Sequence, residues 1–149
     1  MLNLKLYISF VCLCLITASS TSYVIAQEKT IVNTGIVFSS KEYKQVLAEA
    51  KAKHKKIFVD AYATWCAPCK QLQKTTFKDP KAAAYYNKNF INISVDVEKG
   101  NGIGLAEKWN IEGLPTLLIL DENGKAIADH VGFVDGNGLL EFAKEASRL

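Results

Sequence analysis

The stretch that decides the fold of this chain is VDAYATWCAPCK, residues 59–70. Its first part continues an apolar run that starts at Ile57 and ends at Tyr62. Such a run predicts a central strand, because strands that are covered on both faces are apolar almost throughout. Its second part places Cys66 and Cys69 where a helix is expected to begin. A cysteine at a helix N-terminus faces unpaired N–H groups and the positive end of the helix dipole, and both favour the thiolate.

The two cysteines have the spacing of a redox-active dithiol. The thiolate is the nucleophile in disulfide exchange, and a second cysteine one helical turn away can attack the resulting mixed disulfide. We therefore predict that Cys66 is the exposed attacking thiol and that Cys69 is the recessed resolving thiol. Pro68 lies between them and restricts the conformations of the turn.

Three other uses of a cysteine pair fit this segment less well. A zinc site needs four ligands, and the remaining candidates, His54 and His130, lie in unrelated segments. A c-type haem site needs a histidine after the second cysteine, where this chain has Lys70. An inert structural disulfide stays open as an alternative, although so short a loop gains little from cross-linking. We expect neither a metal nor an organic cofactor, because a dithiol itself carries the two electrons of the exchange.

Residues 1–26 have the pattern of a secretory signal peptide. Lys5 is followed by an apolar run from Leu6 to Ile16 and by small residues that end at Ala26, which match a basic region, an apolar region and a cleavage site. The run is shorter than the roughly 20 residues that a membrane-spanning helix needs. We therefore predict an exported protein, periplasmic or secreted, that starts at Gln27. An uncleaved signal would instead tether the protein to the membrane.

Composition places the rest of the chain among ordinary globular proteins. The chain has 149 residues, of which 49% are hydrophobic and 22% charged, and this excludes disordered and low-complexity classes. The net charge of +3 comes from scattered basic residues, so no nucleic-acid partner is expected. Of the 4 cysteines, Cys12 and Cys14 would be lost with the signal peptide. One pair would then remain in a compartment where disulfides form.

Helical and strand patterns alternate along residues 41–149, while residues 27–40 are predicted to hold a leader and a first strand. The alternation predicts an α/β fold with a mixed sheet. Ser39 and Glu42 are predicted to form the capping box of the first helix. The predicted elements are helices over 41–53 and from about 66 to 77, a helix restarted at Asp79-Pro80, a short helix over 105–109, a final helix that carries Leu139 and Ala146, strands over 57–62, 90–97, 116–120 and 126–131, a loop at 100–102, and a hairpin turn at Asn123-Gly124.

Two segments carry a resemblance to a known family. Residues 59–70 resemble the active-site strand and helix of thioredoxin, and Gly113-Leu114-Pro115-Thr116 resembles that family's cis-proline loop. The break at Phe77-Lys78-Asp79-Pro80 looks more like the thioredoxin-like domains of exported proteins, such as the C-terminal domain of the electron-transfer protein DsbD. The resemblance extends over residues 41–149. It implies a thioredoxin fold, in which helices flank both faces of a central mixed β-sheet.

The resemblance also implies catalytic and substrate-binding roles. Asp60 matches a buried acid thought to accept the proton of the resolving cysteine, and burial would raise its pKa. The alternative is an aspartate at a strand edge that pairs with a lysine. Pro115 matches the cis-proline that faces the dithiol, and the backbone of Leu114 beside it would pair with an extended substrate segment.

The surface around the dithiol both follows and departs from the family pattern. Trp65 would cover the dithiol and offer an apolar contact, unless it is a partly buried core residue, and Ala67 and Pro68 complete the expected substrate-binding surface. Tyr62 stands where thioredoxins usually have a second tryptophan, and Asn92 stands near where many have a lysine close to the buried acid. Ala67 replaces the usual glycine, so the redox potential of ordinary thioredoxin does not transfer to this chain.

These features predict an exported thiol-disulfide oxidoreductase that reduces protein disulfides through Cys66 and Cys69 and takes part in cell redox homeostasis. The Trp-Cys-x-Pro-Cys-Lys segment looks more like the reducing branch of the family. The expected partners are protein substrates with disulfides or thiols, and a membrane electron donor that recharges the dithiol. The alternatives are a disulfide oxidase or isomerase, and a non-catalytic chaperone or copper-handling module built on the same fold.

Overall fold

The computed structural model describes residues 35–149, so the predicted signal peptide and most of the predicted leader lie outside the described residues. The elements are α1 Tyr43–Lys53, β1 Lys56–Tyr62, α2 Ala67–Lys74, α3 Pro80–Asn89, β2 Phe90–Asp96, α4 Asn101–Lys108, β3 Thr116–Leu120, β4 Ala126–Val131 and α5 Gly136–Ala146. A short 3-10 helix, Thr76–Lys78, lies between α2 and α3. Within residues 35–149, no helix combines the length and the apolar character needed to cross a membrane.

The described strands form one mixed sheet in the order β2-β1-β3-β4. β1 is parallel to β2 and antiparallel to β3, and β3 and β4 form an antiparallel pair. β1 and β3 are therefore central, and β1 is buried from Ile57 to Ala61, as its apolar run predicted. Of the predicted first strand, the described residues show a single parallel bridge between Phe38 and Asn92 on the outer edge of β2.

Side chains of the sheet alternate between its two faces and build a core on each. On one face, Phe58 and Leu117 pack with Leu72 of α2 and with residues of α3 and α5. On the other face, Ile57 and Val59 pack with residues of α1 and α4. Helices thus flank both faces of the sheet, which confirms the predicted fold class.

The N-terminus of α1 differs from the predicted one. Its capping box joins Glu42 and Gln45, whereas the predicted box joined Ser39 and Glu42. The backbone N–H of Ser39 donates to the carbonyl of Asn92 at 2.8 Å. This bond keeps Ser39 at the edge of the sheet, so the helix starts only after the chain has left that edge.

The helix that carries the cysteines is shorter than predicted. Cys66 is its N-cap, as expected, but α2 ends at Lys74, and Phe77 belongs to the 3-10 helix. The tighter helix places the Phe77 ring in the core, 6.1 Å from that of Phe58. α3 restarts as predicted, because the Asp79 carboxylate accepts hydrogen bonds from two N–H groups of its first turn, at 3.0 and 2.8 Å.

The loop predicted at residues 100–102 is wrong, because α4 begins at Asn101. Gly102 and Gly104 lie in its first part, and glycine has a low helix propensity, which hid the start of the helix. Gly102 has a packing role, because a Cβ at this position would clash with the backbone carbonyl of Asp96 at the end of β2. The glycine therefore lets α4 lie directly against the sheet.

The hairpin between β3 and β4 has the predicted strands but a longer connection, residues 121–125. Of the predicted turn pair, only Gly124 has a positive φ, 82°, whereas a two-residue type I′ turn needs both. The Asp121 carboxylate instead closes the connection by accepting hydrogen bonds from the N–H groups of Asn123 and Lys125, at 2.8 and 2.9 Å.

Candidate active site

The dithiol lies where β1 leads into α2. Cys66 is the N-cap of α2 and forms a disulfide with Cys69, with an S–S distance of 2.05 Å and a Cα–Cα distance of 5.3 Å. The backbone N–H of Cys69 donates to Cys66 Sγ at 3.2 Å. Pro68 fits the first turn, where a missing N–H breaks no helical hydrogen bond. A donor and the positive end of the helix dipole thus act on the Cys66 sulfur, which favours a thiolate there after reduction.

Both sulfurs are covered in this disulfide form. Cys66 is 2% exposed and Cys69 is 1% exposed, so the prediction that Cys66 is exposed is wrong for the oxidised pair. The cysteines pack with Ala63, Tyr62 and Leu114. Leu114 is distant from the cysteines in the chain, so this cover is a tertiary effect that the spacing of the cysteines does not reveal.

Asp60 is a buried carboxylate in the central strand, 1% exposed. It shares a sheet face with Phe58, and α2 packs on that face. Ser94 Oγ donates to Asp60 Oδ2 at 2.9 Å, while Oδ1 has no hydrogen-bond partner among residues 35–149. Burial raises the pKa of Asp60 to about 6, and the hydrogen bond from Ser94 opposes the rise. The alternative of an edge-strand aspartate paired with a lysine is therefore wrong.

The residue beside Asp60 on β2 is Ser94. In the parallel pairing, Asp60 lies opposite Ser94, and Asn92 lies opposite Phe58. The Asn92 side-chain amide donates to the carbonyl of Val37 at 3.2 Å, in the segment that precedes α1. The register of two strands is set by tertiary packing, so the sequence of one strand did not show that Ser94 would lie beside Asp60.

The loop before β3 contains a cis-proline, and its Leu114 packs against the cluster that holds the cysteines. The Leu114–Pro115 peptide bond is cis, as the family resemblance implied. The Pro115 carbonyl accepts a hydrogen bond from Gly132 N at 2.8 Å, and Thr116 Oγ1 donates to the carbonyl of Gly113 at 2.7 Å. These bonds hold the residues on either side of Leu114 in place. The peptide N–H and C=O of Leu114 itself make no hydrogen bond to any described residue. Leu114 thus packs against the cluster of Ala63, Cys66 and Cys69, while its peptide groups have no partner within residues 35–149.

Exposed apolar groups surround the covered disulfide. Trp65 is 66% exposed, so it is not the partly buried core residue of the alternative interpretation. Its indole Nε1 donates to Glu98 Oε1 at 2.8 Å, which anchors the ring to the segment after β2. Ala67 and Pro68 are exposed beside the cysteines, and Val131 is 58% exposed next to the cis-proline loop.

Two neighbours of the site, Ser94 and Glu98, were not among the predicted site residues. Each makes a side-chain hydrogen bond to a predicted site residue more than 30 positions away along the chain. The alternation of β2 places Ser94 on the same face as Phe90 and Asn92, which is the only signal that the sequence held for it. Nothing in the sequence pattern pointed to Glu98.

A family model for the thioredoxin-like domain matches residues 43–147. This chain belongs to the thioredoxin-like family. The thiol:disulfide interchange protein DsbD of Pseudoalteromonas atlantica is 34% identical to it over 112 residues, which make up 73% of this chain. The chain spans only 19% of the length of that relative.

Two solved structures share the fold. A protein of Bacteroides thetaiotaomicron, described as a disulphide-isomerase, is 38% identical, with a TM-score of 0.68 over 76% of this chain and 94% of that one. The oxidised C-terminal domain of Neisseria meningitidis DsbD is 21% identical, with a TM-score of 0.61 over 75% of this chain and 99% of that one. Family membership and the Cys66–Cys69 pair support the predicted enzyme class, a protein-disulfide oxidoreductase.

Proposed function

We propose that this protein is an exported thiol-disulfide oxidoreductase that reduces disulfide bonds in partner proteins. The observation that carries the proposal is the Cys66–Cys69 pair at the N-terminus of α2, packed against Leu114 beside the cis-proline, in a chain of the thioredoxin-like family. This arrangement provides a nucleophile, a resolving thiol, a buried acid–base group and an exposed surface for a partner.

Reduction of a substrate begins at Cys66. Its thiolate attacks one sulfur of the substrate disulfide, the substrate S–S bond breaks, and a mixed disulfide forms. The second substrate sulfur leaves as a thiolate and takes a proton from solvent. The hydrogen bond from Cys69 N to Cys66 Sγ, together with the helix dipole, supports the attacking thiolate.

Cys69 completes the exchange. Its thiol gives up a proton, its sulfur attacks Cys66 Sγ, and the mixed disulfide breaks with release of the substrate sulfur as a thiolate. Two electrons have then passed to the substrate, and the protein holds the Cys66–Cys69 disulfide. Asp60 is proposed to accept the proton of Cys69, since a pKa of about 6 makes its carboxylate a base near neutral pH.

The substrate is proposed to bind across the surface around Cys66. Trp65, Ala67 and Pro68 offer exposed apolar contacts on the side of α2. On the other side, the free peptide groups of Leu114 would pair with an extended substrate segment, as in strand addition. Pro115 holds that loop in place through the bond between its carbonyl and Gly132 N.

The proposed export and the proposed direction of electron flow rest on two features of the sequence. The signal-peptide pattern of residues 1–26 supports export, and the Trp-Cys-x-Pro-Cys-Lys segment supports reduction of substrates. An exported reductant becomes oxidised with each turnover, so it needs a membrane electron donor. The relationship to DsbD, which is a thiol:disulfide interchange protein, is in keeping with this proposal.

Reduction of insulin disulfides is the direct test. The protein that starts at Gln27, kept reduced with dithiothreitol, is expected to accelerate insulin reduction. Cys66→Ser is expected to abolish the acceleration. Cys69→Ser is expected to reduce it, because dithiothreitol must then resolve each mixed disulfide in place of Cys69. If the wild-type protein and Cys66→Ser both leave the rate at the dithiothreitol background, the proposal is wrong.

The Cys69→Ser variant also reveals the direction of electron flow. Without the resolving thiol, the mixed disulfide through Cys66 is expected to persist in cells long enough for the partner to be identified. A partner that is oxidised in the absence of this protein supports reduction. A partner whose disulfides fail to form in its absence contradicts it.

Isomerisation is the second candidate function, because the relative that is 38% identical is described as a disulphide-isomerase. Recovery of activity from ribonuclease with scrambled disulfides would support it. A reduction potential above about −200 mV would favour an oxidant or isomerase over a reductant. A Cys66→Ala variant with full cellular function would instead favour a non-catalytic binding module.

A further inference from the structure

The hydrogen bond between Asp60 and Ser94 connects the interior of the protein to its surface. Asp60 is 1% exposed, and Ser94 Oγ donates to its Oδ2 at 2.9 Å. Ser94 itself is exposed, because β2 lies at an edge of the described sheet. The bridge from Phe38 covers that edge at Asn92, before Ser94 is reached. One residue therefore lies at the exposed surface and bonds through its hydroxyl to the buried carboxyl.

We propose that Ser94 relays protons between Asp60 and solvent during dithiol–disulfide exchange. The inference rests on the proposed function, in which Asp60 takes the proton of Cys69. Ser94 is a positioning and relay residue, since it acts through Asp60 and does not touch the sulfur atoms.

The relay balances its protons because a hydroxyl group both donates and accepts. When Cys69 attacks, its proton passes to the Asp60 carboxylate. The Asp60 carboxyl then gives a proton to Ser94 Oγ while the Ser94 hydroxyl gives its own proton to water. Ser94 ends unchanged, Asp60 is ionised again, and one proton has reached solvent. Electron uptake by the disulfide runs the same transfers inward.

Among residues 35–149, the Ser94 hydroxyl is the side-chain group that forms a hydrogen bond to the Asp60 carboxyl. Oδ1 has no hydrogen-bond partner among residues 35–149, and the residues paired or aligned with Asp60 on its own face include the apolar Phe58 and Leu117. A carboxyl enclosed in this way exchanges protons slowly unless a polar group links it to water. Ser94 is such a group.

No charged group competes with Ser94 for control of Asp60 in the part of the chain that the structure describes. The other titratable groups on β1, α2 with its N-cap, β2 with the turn after it, and β4 are Lys56, Tyr62, Cys66, Cys69, Lys70, Lys74, Asp96, Glu98, Lys99, Asp129 and His130. The Lys56 ammonium donates to the carbonyl of Ala146 at 2.7 Å. Asp96 pairs with Lys99 at 3.0 Å, and Glu98 accepts from the Trp65 indole. Burial and the bond from Ser94 are the two influences on the Asp60 pKa.

Stopped-flow reaction of the reduced protein with 5,5′-dithiobis(2-nitrobenzoate) tests the relay. The first thionitrobenzoate is released when Cys66 forms the mixed disulfide, and the second when Cys69 resolves it. Ser94→Ala is expected to leave the first phase unchanged and to slow the second about tenfold at neutral pH, which is part of the roughly 10²–10⁴-fold that acid–base catalysis contributes. Ser94→Thr, which keeps the hydroxyl, is expected to restore the second phase.

A carboxyl titration shows whether the Ser94 hydroxyl is bonded to the Asp60 carboxylate in solution. Ser94→Ala removes a donor to the ionised carboxylate, so the pKa of Asp60, followed by NMR, is expected to rise. Asp60→Asn is expected to slow the second phase, and Ser94→Ala added to Asp60→Asn is expected to slow it no further.

Failure of the Ser94 relay and failure of the proposed function give different results in these experiments. If neither thionitrobenzoate is released, the proposed function fails. If Asp60→Asn leaves the second phase unchanged, the role of Asp60 fails, and the relay with it. If Asp60→Asn slows the second phase while Ser94→Ala leaves the rate of that phase unchanged, the relay alone is overturned, whether or not the Asp60 pKa rises.

Discussion

Burial of the Asp60 carboxyl raises its pKa from 3.8 to about 6. The folded protein therefore binds this proton more tightly than the unfolded chain does. The stability contributed by the protonated carboxyl is complete below about pH 4 and is lost as the pH rises through about 6. The loss amounts to about 3 kcal/mol once the carboxyl is ionised in the folded state. The same burial that makes Asp60 a base near neutral pH thus lowers the stability of the fold there.

Asp60→Asn is expected to stabilise the oxidised protein at pH 8, because a neutral amide of the same shape needs no ionisation. The gain in the free energy of unfolding is expected to approach about 3 kcal/mol at pH 8 and to fall close to zero at pH 4. Urea denaturation at both pH values measures it. An equal gain at the two pH values would contradict this account of the Asp60 pKa.

Trp65 is the side chain whose removal tests the docking surface. Its ring is 66% exposed, so Trp65→Ala is expected to leave the fold intact. Loss of an apolar contact worth about 1 kcal/mol is expected to raise the KM for insulin about fivefold, while the reaction with the small disulfide reagent is unchanged. Ile103→Ala is a matched control, because Ile103 is 50% exposed on α4. Equal effects of the two substitutions on KM would contradict the proposed docking surface.

At the scale of the element, two glycines of α4 differ in what surrounds them. A Cβ at Gly102 would meet the carbonyl of Asp96, whereas a Cβ at Gly104 would have no heavy atom within 4 Å. Gly102→Ala is expected to destabilise the protein by about 1–3 kcal/mol through overpacking. Gly104→Ala is expected to stabilise it by about 0.5–1 kcal/mol through helix propensity. Thermal unfolding of the two variants measures both, and a shift of the same sign in both would contradict the packing role of Gly102.

The pairing of β1 with β2 also belongs to the scale of the element. The parallel register of β1 and β2 places Ser94 opposite Asp60, and a shift by one residue would turn Ser94 to the other face of the sheet. The register is held by Ile91 and Ile93, which must face the core beside α1 and α4. The polar partner of Asp60 is thus selected by the packing of apolar neighbours.

For the whole molecule, the signal-peptide pattern makes a prediction about processing. Expression of the full chain in a bacterium with a periplasm is expected to yield a periplasmic protein whose N-terminus is Gln27. Mass spectrometry of the purified protein measures the cleavage site. A product that keeps residues 1–26 and stays with the membrane fraction would support the tethered form instead.

The sequence alone predicted those features that depend on neighbours along the chain. A few consecutive residues were enough to predict the strand at residues 57–62, the start of a helix at Cys66 and the restart of a helix at Asp79. The start of α4 was missed because Gly102 is selected by its contact with β2 and not by helix propensity. The motif residues Cys66, Cys69 and Pro115 came from spacing and family resemblance.

Local physical chemistry therefore determined the order of strands and helices and the place of the cysteine pair. The family resemblance had placed the Leu114–Pro115 loop opposite the dithiol, but only the tertiary structure decided that Glu98 holds the Trp65 indole and that Ser94 donates to Asp60. These contacts join residues more than 30 positions apart, and they depend on strand register and on loop positions that the packed core sets. A pattern of consecutive residues carries no information about which distant side chain will complete a hydrogen bond.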